Sequence, residues 1–196
     1  MNNIYSNIYQ PSLFNLKKAK KNIENNNVIA LPTETVYGLA GNAYSNSAVK
    51  KIFKLKKRPL FNPLIIHFKN LKDLKDNVIC NASFIKLHKA LCPGPITFIL
   101  KINPKSKISK IARAGKKTVA VRIPKHKYCY DISKKYDKPI TTTSVNRSGE
   151  QPLNDPKKII EIFGDGIDLL IDDGKINNSA GSKIYELKES KPIQIR

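Results

Sequence analysis

The apolar residues of this chain come in short runs, each cut by proline, glycine or polar residues before it grows long. Val28-Ile29-Ala30-Leu31 stops at Pro32, Leu64-Ile65-Ile66-His67-Phe68 follows Pro63, and Ile96 to Ile102 begins after Cys92-Pro93-Gly94-Pro95. Thr118 to Ile123, Pro139 to Thr143, Leu169 to Ile171, Lys183 to Leu187 and Ile193 to Ile195 repeat the pattern. Runs of this length, rich in Ile, Val and Thr and bounded by breakers, read as strands. The segments between them carry helical spacing. Leu13, Leu16, Ala19 and Ile23 share one face of a helix over Phe14 to Ile23. Ser47 caps a second helix in which Val49, Ile52, Phe53 and Lys56 share a face, ended by Pro59. Asn70 caps a short helix, Ala82 to Leu91 and His126 to Tyr136 form two more, and Asp155-Pro156 opens a last one that Gly164 closes. Strands interleaved with helices confine the chain to an α/β or α+β fold. The alternation is not strict, so a twisted mixed sheet flanked by helices is expected, not a doubly wound parallel one. With 196 residues and neither an internal repeat nor a low-complexity linker, residues 1–196 read as one domain.

Several function classes drop out early. No apolar run approaches the roughly 18 residues of a membrane span, and Met1 to Asn22 lacks the apolar core of a signal peptide. Cys80, Cys92 and Cys129 are odd in number and form no CxxC pair, against a disulfide framework or a cysteine zinc site. A cytoplasmic setting fits that cysteine usage. Neither GxxxxGK[ST] nor GxGxxG occurs, against a P-loop or Rossmann nucleotide site. Gly164-Asp165-Gly166 and Asp172-Asp173-Gly174 lack the ligand spacing of a calcium loop and read as turns. His67, His88 and His126 are too scattered for a metal triad, and Ser144 sits in no GxSxG elbow. No protein-held metal is expected.

Charge is the strongest compositional signal and has two readings. The net charge is +21, carried by 31 lysines and only 5 arginines, beside 26 isoleucines and 19 asparagines. Lys, Ile and Asn all have AT-rich codons, so genome bias accounts for much of the lysine; a polyanionic partner is the other reading. Position separates them. Between Thr35 and Tyr130 there are 21 basic residues and only two carboxylates, Asp73 and Asp76, whereas Glu150 to Glu189 has nine acids and five lysines. Codon drift does not produce that reversal, which favours an anionic ligand held by the Thr35–Tyr130 region.

Polar residues and breakers gather at four strand ends: Pro32 to Gly38, Lys56 to Pro63, Pro93 to Thr97 and Ser144 to Gly149. Each alone reads as an ordinary turn as readily as a ligand loop; together they point to a site. Lys56-Lys57-Arg58-Pro59 is either a solvated basic helix end or a phosphate clamp, with Lys56 as a mobile point charge and Arg58 as a planar fork. Arginine is too scarce here to be composition drift, and Arg58, Arg122, Arg147 and Arg196 fall in or beside the candidate segments.

Those segments carry a resemblance. Pro32-Thr33-Glu34-Thr35-Val36-Tyr37-Gly38-Leu39, Lys56-Lys57-Arg58-Pro59 with Asn62-Pro63-Leu64, and Pro93-Gly94-Pro95-Ile96-Thr97 are followed by Val121-Arg122-Ile123-Pro124, Lys138-Pro139 and Ser144-Val145-Asn146-Arg147-Ser148-Gly149. In order and spacing they resemble the YrdC/TsaC family of threonylcarbamoyl-AMP synthases, over residues 28–196, in its short single-domain form. The resemblance implies a YrdC-like domain with a basic concave face. It implies a reaction joining L-threonine, bicarbonate or CO2, and ATP into threonylcarbamoyl-AMP and pyrophosphate. The product would serve threonylcarbamoyladenosine formation in tRNA through a downstream transferase complex. It places Lys56, Arg58, Ser144 and Asn146 in the catalytic signature. Thr35, His67, Arg122, Thr142 and Ser182 would hold threonine; Arg58, Asn62, Thr118, Ser144 and Arg196 would hold ATP, with Tyr37 and Thr97 nearby.

The residue chemistry suits that assignment. An anionic carboxylate must meet an anionic phosphate, so fixed cations and Mg2+ held mainly by the ATP phosphates offset the repulsion. No nucleophilic side chain is required, and the scarcity of acids near Lys56 is expected to leave the cations there free for substrate and not locked into ion pairs. The sequence departs from the family at Val145, where a small Ala is usual, and at Gly181-Ser182-Lys183-Ile184, where Lys183 replaces a hydroxyl. The alternative function is a double-stranded RNA or tRNA-binding module on the same fold, whose binding would fall with salt and ignore threonine. A fold relative acting on another carbamoyl substrate is a third reading.

Overall fold

The computed structural model describes residues 8–10, 12–177, 180–188 and 191–196. Residues 1–7 of the amino-terminal segment and Glu189, both used in the sequence readings above, lie outside the described residues. Ten strands among those described join into a single sheet: β1 (Ile8–Tyr9), β2 (Ile29–Leu31), β3 (Gly38–Asn42), β4 (Ile65–His67), β5 (Ile96–Lys101), β6 (Thr118–Arg122), β7 (Ile140–Ser144), β8 (Leu169–Ile171), β9 (Lys183–Lys188) and β10 (Lys191–Gln194). Their spatial order is β1-β8-β2-β3-β7-β4-β6-β5-β9-β10. Four pairs are parallel (β1/β8, β2/β8, β4/β6, β5/β9) and the other five antiparallel, which gives the mixed sheet expected.

Among the described residues, six α-helices accompany the sheet: α1 (Leu13–Glu24), α2 (Asn46–Lys56), α3 (Leu71–Asn77), α4 (Ala82–Leu91), α5 (Lys127–Tyr136) and α6 (Pro156–Phe163). Their N-caps follow side-chain chemistry. Ser12, Asn70, Asn81 and Asp155 each accept a backbone N–H from the first turn. The expected cap of α2 moves by two residues, from Ser47 to Ser45, and Ser47 instead shares a 2.9 Å hydrogen bond with the Ser45 hydroxyl.

Two strands escape the pattern reading. β1 is two residues long. β3 reads Gly-Leu-Ala-Gly-Asn and lacks the β-branched residues that mark strands. β3 forms because β2 and β7 pair with it on both sides.

Successive strand residues point to opposite faces, and the two faces are built differently. One face carries Ala30, Leu39, Ile66, Phe98, Val121 and Leu170 under Val49, Ile52 and Phe53 of α2, Phe84 of α4 and Ile159, Ile160 and Phe163 of α6. On the other face, Ile29, Leu31, Ala40, Ile140, Leu169 and Ile171 lie under Leu16, Ala19 and Ile23 of α1 and Tyr128, Cys129, Ile132 and Tyr136 of α5. This second cover is incomplete. One cross-strand row runs Leu169, Ile29, Ala40, Thr142, Ile65, Ala120, Ile99. Its first three members are sealed, whereas Thr142 onward line a cavity to which no described helix residue contributes.

Candidate active site on the uncovered half of the sheet

The cavity holds about 400 Å³, and its floor is that uncovered half-face: Ile65 and His67 of β4, Ala120 and Arg122 of β6, Thr142 and Ser144 of β7, Ile99 of β5 and Ile184 of β9. Thr33, Thr35 and Val36, Arg58 and Pro63, Pro152, Gly181 and Ser182, and Arg196 close its sides. Three of the five arginines therefore converge on it. Among the described residues, no Asp or Glu side chain lines it.

Arg122 ends β6, opposite His67, and is almost completely buried. Its Nε donates to the Gly94 carbonyl at 3.2 Å, one terminal nitrogen donates to the Thr35 hydroxyl at 3.2 Å, and the other lies 2.9 Å from a Glu34 carboxylate oxygen. Three partners for five N–H groups leave at least two hydrogens for a ligand. Burial works to raise the Glu34 carboxyl, but the Arg122 charge and the Lys125 backbone N–H outweigh it and hold its pKa below the ordinary value. Arg122 is thus ion-paired. Glu34 stands one residue outside the acid-poor stretch, and the fold brings it across 88 positions of chain.

His67 is sealed, and its pKa is lowered to about 3, first by burial and then by the Arg122 charge. It is a neutral imidazole at physiological pH. Beside Arg122, the Thr33 hydroxyl accepts the N–H groups of Thr35 and Val36, each at 3.1 Å, and donates to the Val36 carbonyl at 2.6 Å. That fixes the turn carrying Thr35. Ser182 and Thr97 share a 2.8 Å hydroxyl–hydroxyl bond. Ser182 lines the cavity and Thr97 lies beneath it.

The Arg58 and Arg196 guanidinium groups lie along another side. Arg58 donates through Nε to the Asn62 carbonyl and through a terminal nitrogen to the Pro63 carbonyl, both at 3.0 Å, which shapes its own loop. Burial, and then the charge of Arg196, lower its pKa. Arg196 is held by the Ser182 carbonyl at 3.1 and 3.3 Å.

Lys56 departs from a mobile point charge. It is 1% exposed, and its ammonium donates to the Ser144 carbonyl, to the Asn146 carbonyl at 2.9 Å and to the Asn146 side-chain oxygen at 2.8 Å. Three acceptors use all three hydrogens. Burial, then Arg58, lower its pKa to about 7. Asn146 Oδ1 also accepts the Ser144 hydroxyl at 2.6 Å, and its amide donates to the Arg147 and Glu150 carbonyls at 2.8 Å. Lys56 and Asn146 lie behind the wall and fix the turn that presents Ser144.

Other expected positions lie outside the lining. Asn62 contributes its backbone to Arg58. Thr118 continues the strand face of Ala120 and Arg122, opposite Lys101. Tyr37 turns away: its hydroxyl donates to the Gly174 carbonyl at 2.7 Å and accepts the Asp173 N–H at 3.0 Å. Arg147 leaves the site altogether, donating to the Leu55 carbonyl and stacking on Phe163 at 4.7 Å. Val145 is fully buried in the core, and Lys183 is exposed at the start of β9. Thr33, Glu34 and Pro152 were not singled out as site residues; the first two sit inside the quoted Pro32 to Leu39 block, while nothing local marks Pro152.

Comparison with known proteins bears on this geometry. The Sua5/YciO/YrdC family model, described as "Telomere recombination", matches residues 21–196. A threonylcarbamoyl-AMP synthase of Pyrococcus abyssi is 36% identical over 178 residues, covering 89% of this chain and 51% of that protein. A threonylcarbamoyl-AMP synthase of Bacillus subtilis is 33% identical over 175 residues, covering 89% and 50%. The chain thus spans about half the length of these two relatives. The crystal structure of P. abyssi Sua5 complexed with L-threonine matches with a TM-score of 0.89 at 31% identity, covering 96% of this chain and 56% of that one. With a match over residues 21–196 and this shared fold, the chain belongs to the Sua5/YciO/YrdC family.

Proposed function

We propose that this chain is a threonylcarbamoyl-AMP synthase, joining L-threonine, bicarbonate or CO2, and ATP into threonylcarbamoyl-AMP and pyrophosphate. The observation that carries the reading is the convergence of Arg58, Arg122 and Arg196 on one hydroxyl-lined cavity of about 400 Å³ with no described Asp or Glu side chain in its lining. Such a cavity suits two anionic ligands that must be brought together. The relatives named for this activity support the same reading.

Arg122 takes the amino-acid carboxylate with its unused N–H groups, Thr35 and Glu34 holding the guanidinium plane. His67, Thr142 and Ser182 complete the threonine compartment. Arg58 and Arg196 face the triphosphate, Ser144 orients a phosphate or ribose oxygen, and Asn62 and Thr118 extend the ATP site beyond the lining. Lys56 and Asn146 act as positioning residues through Ser144. The threonine amine adds to the carbon of CO2 and loses a proton, giving a carbamate. A carbamate oxygen then bonds to the α-phosphorus as the bond from that phosphorus to the bridging oxygen breaks, and pyrophosphate departs with the electron pair. Fixed guanidinium charge stabilises both the approach of two anions and the leaving pyrophosphate.

Among the described residues, no group of three His, Cys, Asp or Glu side chains could hold a metal ion. In this reading Mg2+ is held mainly by the ATP phosphates and enters as part of the substrate. No described helix is long and apolar enough to cross a membrane. A cytoplasmic setting, hand-off of the adenylate to a threonylcarbamoyl transferase and tRNA as the final acceptor belong to the same proposal.

Pyrophosphate release is the test. Release should require ATP, threonine and bicarbonate together, and omission of either threonine or bicarbonate should abolish it. ATP turnover that is equally fast without either, or salt-sensitive RNA binding with no turnover, would contradict the reading.

A further inference from the structure

His67 has two ring nitrogens in unlike surroundings. Nδ1 lies 3.5 Å from the Cys129 sulfur, which reaches it from the first turn of α5. Nε2 is buried with no hydrogen-bond partner, on a residue that lines the cavity. A neutral imidazole has one donor and one acceptor, so which nitrogen carries the hydrogen decides what it can offer a ligand.

We propose that the Cys129 thiol sets this choice: its S–H donates to Nδ1, leaving the ring hydrogen on Nε2, where it is presented to an oxygen lone pair of the bound amino acid. Cys129 is then a positioning residue for the threonine compartment, a role that rests on the function proposed above. Bonding chemistry favours one direction of the bond. Sulfur is a poor acceptor, so the reverse arrangement would spend the only ring hydrogen on it and leave a bare lone pair at the cavity. The thiol keeps its hydrogen, because burial, with Glu34 next, pushes its pKa up to about 12. The ring does not take a second one: burial first, then Arg122, oppose the imidazolium, and Glu34, the other charged group near it, only partly compensates.

The arrangement also has a consequence for selectivity. An Nε2–H group favours a carboxylate or hydroxyl oxygen at this point of the cavity and disfavours an ammonium group. The bond lies at the edge of the α5 cover, where the sealed and open halves of the sheet face meet.

The test is long-range 1H–15N NMR of the 15N-histidine-labelled full chain near pH 7, with the His67 signals assigned from His67→Gln. The wild type should show His67 as the Nε2–H tautomer, and an Nδ1–H tautomer overturns the proposal. Cys129→Val should shift His67 toward Nδ1–H and raise the threonine KM by about 10-fold, the worth of one such hydrogen bond, with the ATP KM within about 2-fold. Cys129→Ser retains a donor and should restore both tautomer and KM; equal effects of Val and Ser overturn the proposal. If Cys129→Val does not fold, the wild-type tautomer still decides. The NMR result is independent of turnover, so a wild type that shows the expected tautomer but releases no pyrophosphate with threonine refutes the function and not the hydrogen placement.

Discussion

In their side chains, the two halves of one sheet face share only strand β7, and they meet opposite fates. Under α1 and α5 the side chains are Ile29, Leu31, Ala40, Ile140, Leu169 and Ile171, sealed against Leu16, Ile23 and Ile132. One or two strands further along, the same inward positions are Thr142, His67, Arg122 and Ser144, with Ile65 and Ile99 between them. Hydrophobic burial organises the first half. In the second, polar groups are desolvated without helix cover and are held by specific bonds, such as Arg122 to Gly94 and Thr35. On the proposed function binding belongs to the second half, so substitutions in the two halves should separate stability from binding.

The largest expected effect is on the open half. Arg58→Ala should lower pyrophosphate release by about 10²- to 10³-fold, the usual cost of losing a fixed donor at developing charge. Activity within a few-fold of wild type would remove Arg58 from the phosphate site. On the sealed half, Ile29→Ala should cost about 2–5 kcal/mol in urea unfolding and leave the KM values for threonine and ATP within about 2-fold; a large KM change with little loss of stability would reverse the comparison.

A third prediction concerns pH. The His67 pKa is about 3 in the fold against 6.5 ordinarily. Below 6.5 the unfolded chain therefore binds a proton that the native state refuses, and stability falls as pH falls. Between pH 7.5 and pH 5 the wild type should lose about 2 kcal/mol more than His67→Gln. Parallel pH profiles for the two proteins would show that His67 is not desolvated as described. The smallest effect belongs to the exposed surface: Lys86→Ala on α4 should change stability by less than about 0.5 kcal/mol and leave turnover unaltered. A marked loss would place the site on the wrong face.

Legibility in the sequence tracked how local each signal is. Asp155-Pro156 and Asn70 announce helix starts because capping is chemistry between near neighbours. β3 was silent because Gly-Leu-Ala-Gly-Asn has no strand propensity of its own and is shaped by β2 and β7. Lys56 carried a usable clue: it shares a helix face with Val49, Ile52 and Phe53, and that spacing marks burial, which its charge obscured. Glu34 carried no such clue toward Arg122, since a contact across 88 residues exists only after the sheet has formed. The incomplete cover by α1 and α5 is likewise a tertiary fact. Three of the four turn-like segments, each ambiguous alone, line that one cavity, and the fourth supports it through the Gly94 carbonyl on Arg122.

The central claim, that the open half of the face is the binding surface and the sealed half is not, is tested most directly by isoleucine methyl NMR. Ile65, Ile99 and Ile184 line the cavity, whereas Ile29, Ile132, Ile140 and Ile171 lie under the helices. Titration with ATP and L-threonine should shift the first three methyl signals and leave the other four in place. Uniform shifts across both sets, or shifts confined to the covered set, would contradict the account.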